Sequence, residues 1–582
     1  MASTTLHVHV GQCGNQVGER FWSLAATDAS SGASAVDSDE AAAIPSGSRP
    51  HPMFHEVDSK AVAVFVDSEA KVVDRLRQNP CLSGVIRKDA CITDSSGRAN
   101  NWAMGFTASC QELRKGHGLF YKTVNTLRRE LERVDRLQSV VIHHSLAGGT
   151  GSGVGSALLQ YLREACPALT ITTSSVGPFS SGDCATQWYN TAFSLSALTE
   201  YADAVLYRDN DISLSHHLMT SAAASHGKGN GSRMPAGWGH AAAIATASMG
   251  TINDSLATDL ACVFFPTITS SSLSSSSFMG CYQPWDARQL SRSCCPFTYA
   301  KFVDVRSSWS MSSSLPSPSS SCRAAAKSGQ HQLVARGGEE EGSRGWGEDW
   351  SSLGRKLVAT LPRKDLKGRP NVTIAAQTIV RGMSPEAVPS PAAVSTWEEA
   401  STLPSLKRGG GGRGGKGGPG KGSRNRSRGL WAAAVTWEGR KVNPYVPGAV
   451  APPFDSALAT LLHQDLPRAL LLAPWRQQHQ SQPVETTYSL DCPPTSSFPH
   501  SSGSRGLAVC ANRTYMGSTI GKVLKRAEEM SAHGAYLHWY SRHGIEEADF
   551  AVAFEQLRRM KEEYEEWGRG AEQGRRQGAI IG

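Results

Sequence analysis

The seven residues Ala147 to Gly153, AGGTGSG, hold four glycines, one threonine and one serine. The residues before them, LQSVVIHH, are apolar and β-branched and predict a buried strand. After them Val154, Leu158, Leu159 and Leu162 recur at helical spacing. A strand-to-helix turn of this composition lets backbone N–H groups converge where no side chain blocks approach. It also opens a helix, where unpaired donors carry roughly half a positive charge. The chemistry that suits such a turn is anion binding, above all of a phosphate.

Other readings of the same glycines are weaker or bland. A phosphate loop of the Walker A kind needs a Lys before the final Ser or Thr, and none is present. A dinucleotide fingerprint can be forced onto Gly151, Gly153 and Ser156, but the last position is wrong. The next strand, LTITTSS, also ends without the acid that would hold a ribose. A plain tight turn with close helix packing stays open on local residues alone.

The elements that would position this turn repeat along the first 215 residues. LHVHV alternates so that Leu6, Val8 and Val10 face one way, a strand, and GQCGNQVGERFWSLA runs from a second glycine turn into a helix. Residues 28 to 50 are Ala/Ser-rich and read as a loop. A continuous apolar strand then ends at Asp67, and Phe120, Val124, Leu127, Leu131 and Val134 mark an amphipathic helix. Strand, turn and helix repeat again over 139–207. This alternation predicts an open α/β sheet with its ligand at the carboxyl ends of the strands. Five polar turns fall at those ends: GQCGNQ, VDSEA, ANNWA, SLAGGTGSG and YRDND. Singly, Asp67 reads as a helix cap, Asn100 and Asn101 as turn formers and Asn210 as a cap. Together they can line one crevice.

Composition sets outer bounds. The chain has 582 residues, room for two or three domains, with an apolar fraction of 40% that is low for that length. No apolar run approaches a membrane span, and the opening MASTTLHVHVGQ lacks the basic and apolar regions of a signal peptide. The 13 cysteines form no CxxC pair, which favours reduced thiols. The segment Lys407 to Arg428 holds eight basic residues and no acidic one, equal to the whole net charge of +8. The basicity therefore belongs to one loop, not to the folded body. The adjacent pairs His143/His144 and His216/His217 would point to opposite faces of a strand, so they read as structural and not as metal ligands. Past Leu218, SSSLSSSS, SMSSSLPSPSSS and the Arg/Gly run are low-complexity, separated by short patterned pieces. Periodicity returns at the end, with Ile520, Val523, Leu524, Ala527 and Met530 suiting one helix and Phe550, Phe554, Leu557 and Tyr564 another.

Taken in order, GQCGNQVG at 11–18, NNWAMG at 100–105 and AGGTGSG at 147–153 resemble the nucleotide-binding loops of the tubulin family. The resemblance covers residues 1 to about 215, is patchy through the centre, and returns from about 507 to 567. SLAGGTGSG, INDSLATDLACVFFPT and AYLHWYSRHGIEEADF look most like delta-tubulin, with epsilon-tubulin next. Alpha and beta forms fit less well, because the chain's last residues carry no acidic tail. The organisation this implies is a GTP-binding domain at 1–217, an insertion at 218–250 and the end of the nucleotide domain at 251–267. A divergent middle domain would follow at 268–506, with low-complexity insertions at 307–370, 383–430 and 440–505. A C-terminal helical region at 507–567 and a tail at 568–582 complete it.

The resemblance also assigns roles. Gly11, Gln12, Cys13 and Gln16 would line the base and sugar side of GTP. Ser145, Ala147, Gly148, Gly149, Thr150, Gly151, Ser152 and Gly153 would surround the phosphates, and Asn100 would meet the terminal one. Asp67 and Glu69 would hold Mg2+, a hard cation suited to oxygen ligands. Asn210 and Asn253 would read guanine, since an amide both donates and accepts. Met249 departs from the aromatic residue often found over the base. The acid that positions the attacking water would come from a neighbouring subunit. Asp286 is the only acid in the corresponding region, and an ungapped alignment puts Gln289 there instead, so GTP binding is expected and turnover is left open.

The function implied is that of a delta-type tubulin in triplet microtubule assembly at centrioles and basal bodies, and in cilium or flagellum formation. Its partners would be other tubulins, met head to tail or laterally, and centriolar proteins, with no membrane. An epsilon-type protein is the alternative within the family. An RNA-binding protein using 407–428 is the alternative outside it, but that run has no aromatics interleaved for stacking, so a solvated loop is preferred. The Ser-, Gly- and Pro-rich blocks also alternate with family-like fragments as retained intervening sequence would. Transcript sequencing across 268–505 separates that case from true insertions.

Overall fold

The computed structural model describes residues 4–31, 51–134, 136–182, 184–215, 249–269, 281–283, 285–309, 350–382, 435–437, 440–442, 458, 460–471, 484–488 and 505–581. The Arg/Gly run 407–428, the pair His216/His217 and nearly all of the insertion expected at 218–250 lie outside the described residues.

Six parallel strands form one half of a sheet: β1 (Thr4–Val10), β2 (Ala63–Asp67), β3 (Cys91–Thr93), β4 (Leu137–Ser145), β5 (Thr170–Val176) and β6 (Ala204–Arg208). Their spatial order is β3-β2-β1-β4-β5-β6, with all neighbours parallel. Helices cover both faces, and the strands are buried over most of their length, as suits a parallel sheet. On one face Leu6, Val8 and Val10 pack with α4 (Trp102–Lys115), α5 (Leu119–Glu132), α6 (Gly155–Ala165) and α7 (Gln187–Tyr201). The C-terminal helices Tyr515–Ala532 and Glu547–Ile581 join that layer through Ile520, Val523, Phe550 and Leu557. On the other face lie α1 (Gly11–Ser31), α2 (Ala70–Gln78) and the helix Met249–Phe264, packed through Phe21, Trp22, Val73 and Phe264.

The sheet does not stop at the nucleotide-type half. Two short antiparallel pairs stand apart, β7 (Thr267–Thr269) with β8 (Cys281–Gln283) and β11 (Val435–Trp437) with β12 (Arg440–Val442). The long strand β9 (Phe302–Trp309) pairs with β6 at Val205↔Phe302 and Leu206↔Val303, and β14 (Gly506–Arg513), β10 (Thr373–Arg381) and β13 (Val484–Tyr488) follow. Ordered elements also occur inside two ranges expected as insertions. Trp350, Leu353 and Leu357 form the buried stripe of the helix Trp350–Thr360 and pack with Leu461 and Leu466 over β10 and β14. Surrounding Ser and Gly hide that helical spacing from a compositional reading.

Candidate functional site

The parallel half delivers every strand's carboxyl end to one edge, and the polar turns meet there. Gly11, in the left-handed region at φ +74°, turns the chain from β1 into α1. A Cβ on it would lie 2.8 Å from Gly151 N, so the two glycine turns touch backbone to backbone. Asn15 is buried and donates to Gly11 O (2.9 Å) and Val66 O (3.0 Å), tying this turn to the end of β2. Beside it, Asp67 accepts from Glu69 N at 3.3 Å through one oxygen, while its Oδ2 is buried with no partner among the described residues. Burial pushes the Asp67 carboxyl up to about 6. An acceptor oxygen left in that position fits a hard cation, and Glu69, exposed, could join it; phosphate or water oxygens would complete the shell. Ser68 Oγ lies 2.7 Å from Thr150 Oγ1, linking the acidic turn to the glycine turn.

The glycine turn is shorter than its sequence suggests. Thr150–Val154 form one π-helical turn that continues into α6, and Ser152 N already bonds to Gly148 O. The glycines divide by what surrounds them. Added Cβ atoms would lie 2.4 Å from Arg98 O at Gly149, 2.8 Å from Ser145 O at Gly151 and 2.4 Å from Trp102 O at Gly153. These three serve close packing, against the 98–105 segment at Gly149 and Gly153 and against the end of β4 at Gly151. Gly148 alone in the turn has nothing nearer than Asn100 Oδ1 at 3.8 Å. The close-packing reading therefore describes Gly149, Gly151 and Gly153, while Gly148 is left open.

Ala99 and Asn100 carry φ +45° and +48°, a left-handed pair that non-glycine residues seldom adopt. The Asn100 carbonyl accepts from Thr186 Oγ1 and Asn190 Nδ2, both at 2.8 Å, and Asn101 caps α4 by accepting from Met104 N. Asn190 Nδ2 also donates to Ala147 O at 2.6 Å, so one amide on α7 holds both loops from behind. Sequence reasoning missed Asn190. Its signal was an Asn next to Tyr189 in a helix whose other small polar residues are Thr and Ser.

Behind the site the histidines are packed in the core. His143 stacks on His9 at 4.4 Å between ring centroids and meets His7 at 3.0 Å between ring nitrogens. His144 faces the other way. Its Nδ1 donates to Gly151 O at 2.8 Å, and burial pulls it down to about 4. Burial also holds the Cys13 thiol up to about 12, which keeps it protonated.

Residues 4–215 match the family described as Tubulin/FtsZ family, GTPase domain. The α/β fold of this region is tubulin-like. It is 35% identical over 222 residues to the tubulin epsilon chain of Mus musculus, covering 35% of this chain and 43% of that one. It is 35% identical over 217 residues to a tubulin beta chain of Porphyra purpurea, covering 35% and 44%. Identity to the tubulin beta-1 chain of Homo sapiens is 33% over 210 residues, covering 35% and 45%. The chain thus spans less than half the length of these relatives.

Asn253 Nδ2 donates to Gln16 Oε1 at 3.2 Å, which brings α1 and the helix Met249–Phe264 together. Asn210 is buried with its Oδ1 unpartnered among the described residues. Gln12 and Met249 are exposed, and Cys13 is half-buried. Asp286 is exposed and accepts from Arg288 N at 2.8 Å, the N-cap of the helix Ala287–Cys294. Among the described residues no group of three His, Cys, Asp or Glu side chains is poised for a metal, and no helix is long and apolar enough to cross a membrane.

Proposed function

We propose that the chain is a GTP-binding cytoskeletal protein of the tubulin superfamily, delta-type, acting in triplet microtubule assembly at centrioles and basal bodies. The observation that supports the nucleotide reading is the shared edge. Gly148 opens onto the space beside Asn100, and at the carboxyl end of β2 and just past that of β6 Asp67 Oδ2 and Asn210 Oδ1 have no partner among the described residues. In this reading Asp67 and Glu69 hold Mg2+, the glycine turn and Asn100 hold phosphates, and Asn210 and Asn253 select guanine through paired donor and acceptor atoms. Other tubulin subunits, met head to tail, are the proposed partners, together with centriolar proteins. A water-positioning acid would come from a neighbouring subunit. Asp286 is a weak candidate, because its carboxylate already caps its own helix.

The epsilon-type reading is the second one, supported by the similarity to the mouse epsilon chain. The test of nucleotide class is the base released when the purified chain is denatured, compared with Gly148→Val. Guanine nucleotide near one per chain, lost in the variant, sustains the proposal. Adenine or dinucleotide overturns it. Tagging the chain in ciliated cells tests the centriolar role, which fails if the label follows the whole microtubule array and not the centrioles.

A further inference from the structure

Asn190 has its hydrogen-bonding capacity filled, and the fourth partner comes from the far end of the chain. Its Nδ2 gives both hydrogens to Asn100 O and Ala147 O. Its Oδ1 accepts from Trp102 N at 2.7 Å and from the Tyr540 hydroxyl at 2.6 Å. A side-chain amide offers two donors and two lone pairs, so no further orientation satisfies all four partners. Tyr540 is buried and held in an aromatic box, stacked on Phe193 and edge-on to Tyr189 and Phe550.

The same C-terminal turn is fastened to the tubulin-like region elsewhere. Asn101 Nδ2 donates to Trp539 O at 3.2 Å, Thr107 Oγ1 to His543 O at 2.8 Å, and Tyr189 Oη to Ala535 O at 3.0 Å. Tyr536 within it is itself left-handed at φ +59°. Two strained segments, Ala99–Asn100 and the turn at Tyr536, are thus braced through one buried amide. A left-handed non-glycine residue is strained and persists only when its surroundings enforce it.

We propose that Asn190 is the positioning residue for both phosphate-side loops, and that Tyr540 links it to the Tyr536–Ile545 turn. Retention of nucleotide and order in that turn are then one coupled equilibrium. This rests on the nucleotide reading above. Because such coupling is reciprocal, whatever orders the turn slows nucleotide loss, and bound nucleotide orders the turn to the same degree.

The test uses the full-length chain and Tyr540→Phe, which keeps the aromatic box and removes only the hydroxyl. Dissociation of a fluorescent guanine nucleotide is measured together with amide hydrogen exchange. In Tyr540→Phe the expected result is about five- to tenfold faster dissociation, the scale of one buried hydrogen bond. Faster exchange at 98–102 and 147–149 should accompany it, with a melting temperature lowered by no more than about 3 °C. In the wild type, nucleotide should slow exchange over 536–545. Thr107→Val loosens the same turn without touching Asn190 and should leave dissociation unchanged. Equal effects from both variants, or no effect of Tyr540→Phe on either loop, overturn the coupling while the nucleotide reading stands. If the wild type binds no guanine nucleotide, that reading fails, and loop exchange in Tyr540→Phe still decides the positioning role.

Discussion

The two halves of the sheet use direction differently. In β3-β2-β1-β4-β5-β6 all strands run one way, so each following turn reaches the same edge. In β9-β14-β10-β13 only β14 runs against its neighbours, so β9, β10 and β13 end at the same edge as the first six strands and β14 ends at the other. At the parallel edge Asp67 Oδ2, Asn15 Oδ1 and Asn210 Oδ1 are buried acceptors without partners among the described residues. In the mixed half, buried side chains tie elements together. Arg381 donates to Cys262 O, Pro266 O and Phe265 O, and so fastens the end of the Met249–Phe264 helix to β10. Asn512 donates to Cys294 O and Ala300 O and accepts from the Tyr564 hydroxyl. Buried atoms without partners among the described residues also occur in the mixed half, at Arg306 Nη2, Thr378 Oγ1 and Arg513 Nε, so the halves differ in strand direction and in what their paired side chains tie together, not in unmet capacity.

The largest effect that tests this contrast lies inside the glycine turn. Gly149→Ala or Gly153→Ala drives a methyl group into backbone that cannot yield, and each should destabilise the fold by more than about 4 kcal/mol in chemical denaturation. Gly148→Val should change stability by less than about 1 kcal/mol while abolishing nucleotide retention. Equal destabilisation at all three positions would erase the division between packing and ligand glycines. In the mixed half, Arg381→Leu leaves three buried carbonyls without their donor. A loss of roughly 3 kcal/mol is expected, with the Met249–Phe264 helix exchanging faster than β1. A loss spread evenly over the whole sheet would argue against a local brace.

The smallest effect is a pH dependence seated at the parallel edge. His144 is neutral in the fold, with its affinity for protons lowered to about 4 from an ordinary 6.5. Below pH 6.5 the unfolded chain takes up that proton first, so stability falls as the pH drops from 6.5 through 4. The loss at the acid end should be at most roughly 3 kcal/mol for this residue. His144→Gln should flatten the acid limb of a melting-temperature profile by that amount and leave the neutral region in place. An unchanged limb would place the acid sensitivity in the His7, His9 and His143 stack, whose protonation burial also opposes.

Much of the parallel half was legible because its elements announce themselves locally. Leu6, Val8 and Val10 alternate, Phe120, Val124 and Leu127 repeat at helical spacing, and both patterns lie on the faces they predict. The convergence of five turns also followed from strand direction alone. The helix Trp350–Thr360 was missed because its few apolar residues sit among serines and glycines, where composition outweighs period. Asn190 was missed for another reason: an isolated Asn in a helix gives no sign of partners 43, 90 and 350 residues away in the chain.

By itself, the sequence determined the strand and helix periods, the positions of the glycine turns and the single edge they share, since these depend on neighbours within a few residues. Only the tertiary structure decided which glycine faces open space and which faces another backbone. It also decided which buried oxygens lack partners among the described residues, and that the C-terminal turn reaches the loops at Asn100 and Ala147 through one amide. Those properties are set by distances between segments far apart in the chain. A hydrogen bond or a clash turns on a few tenths of an ångström, which no local spacing rule can specify.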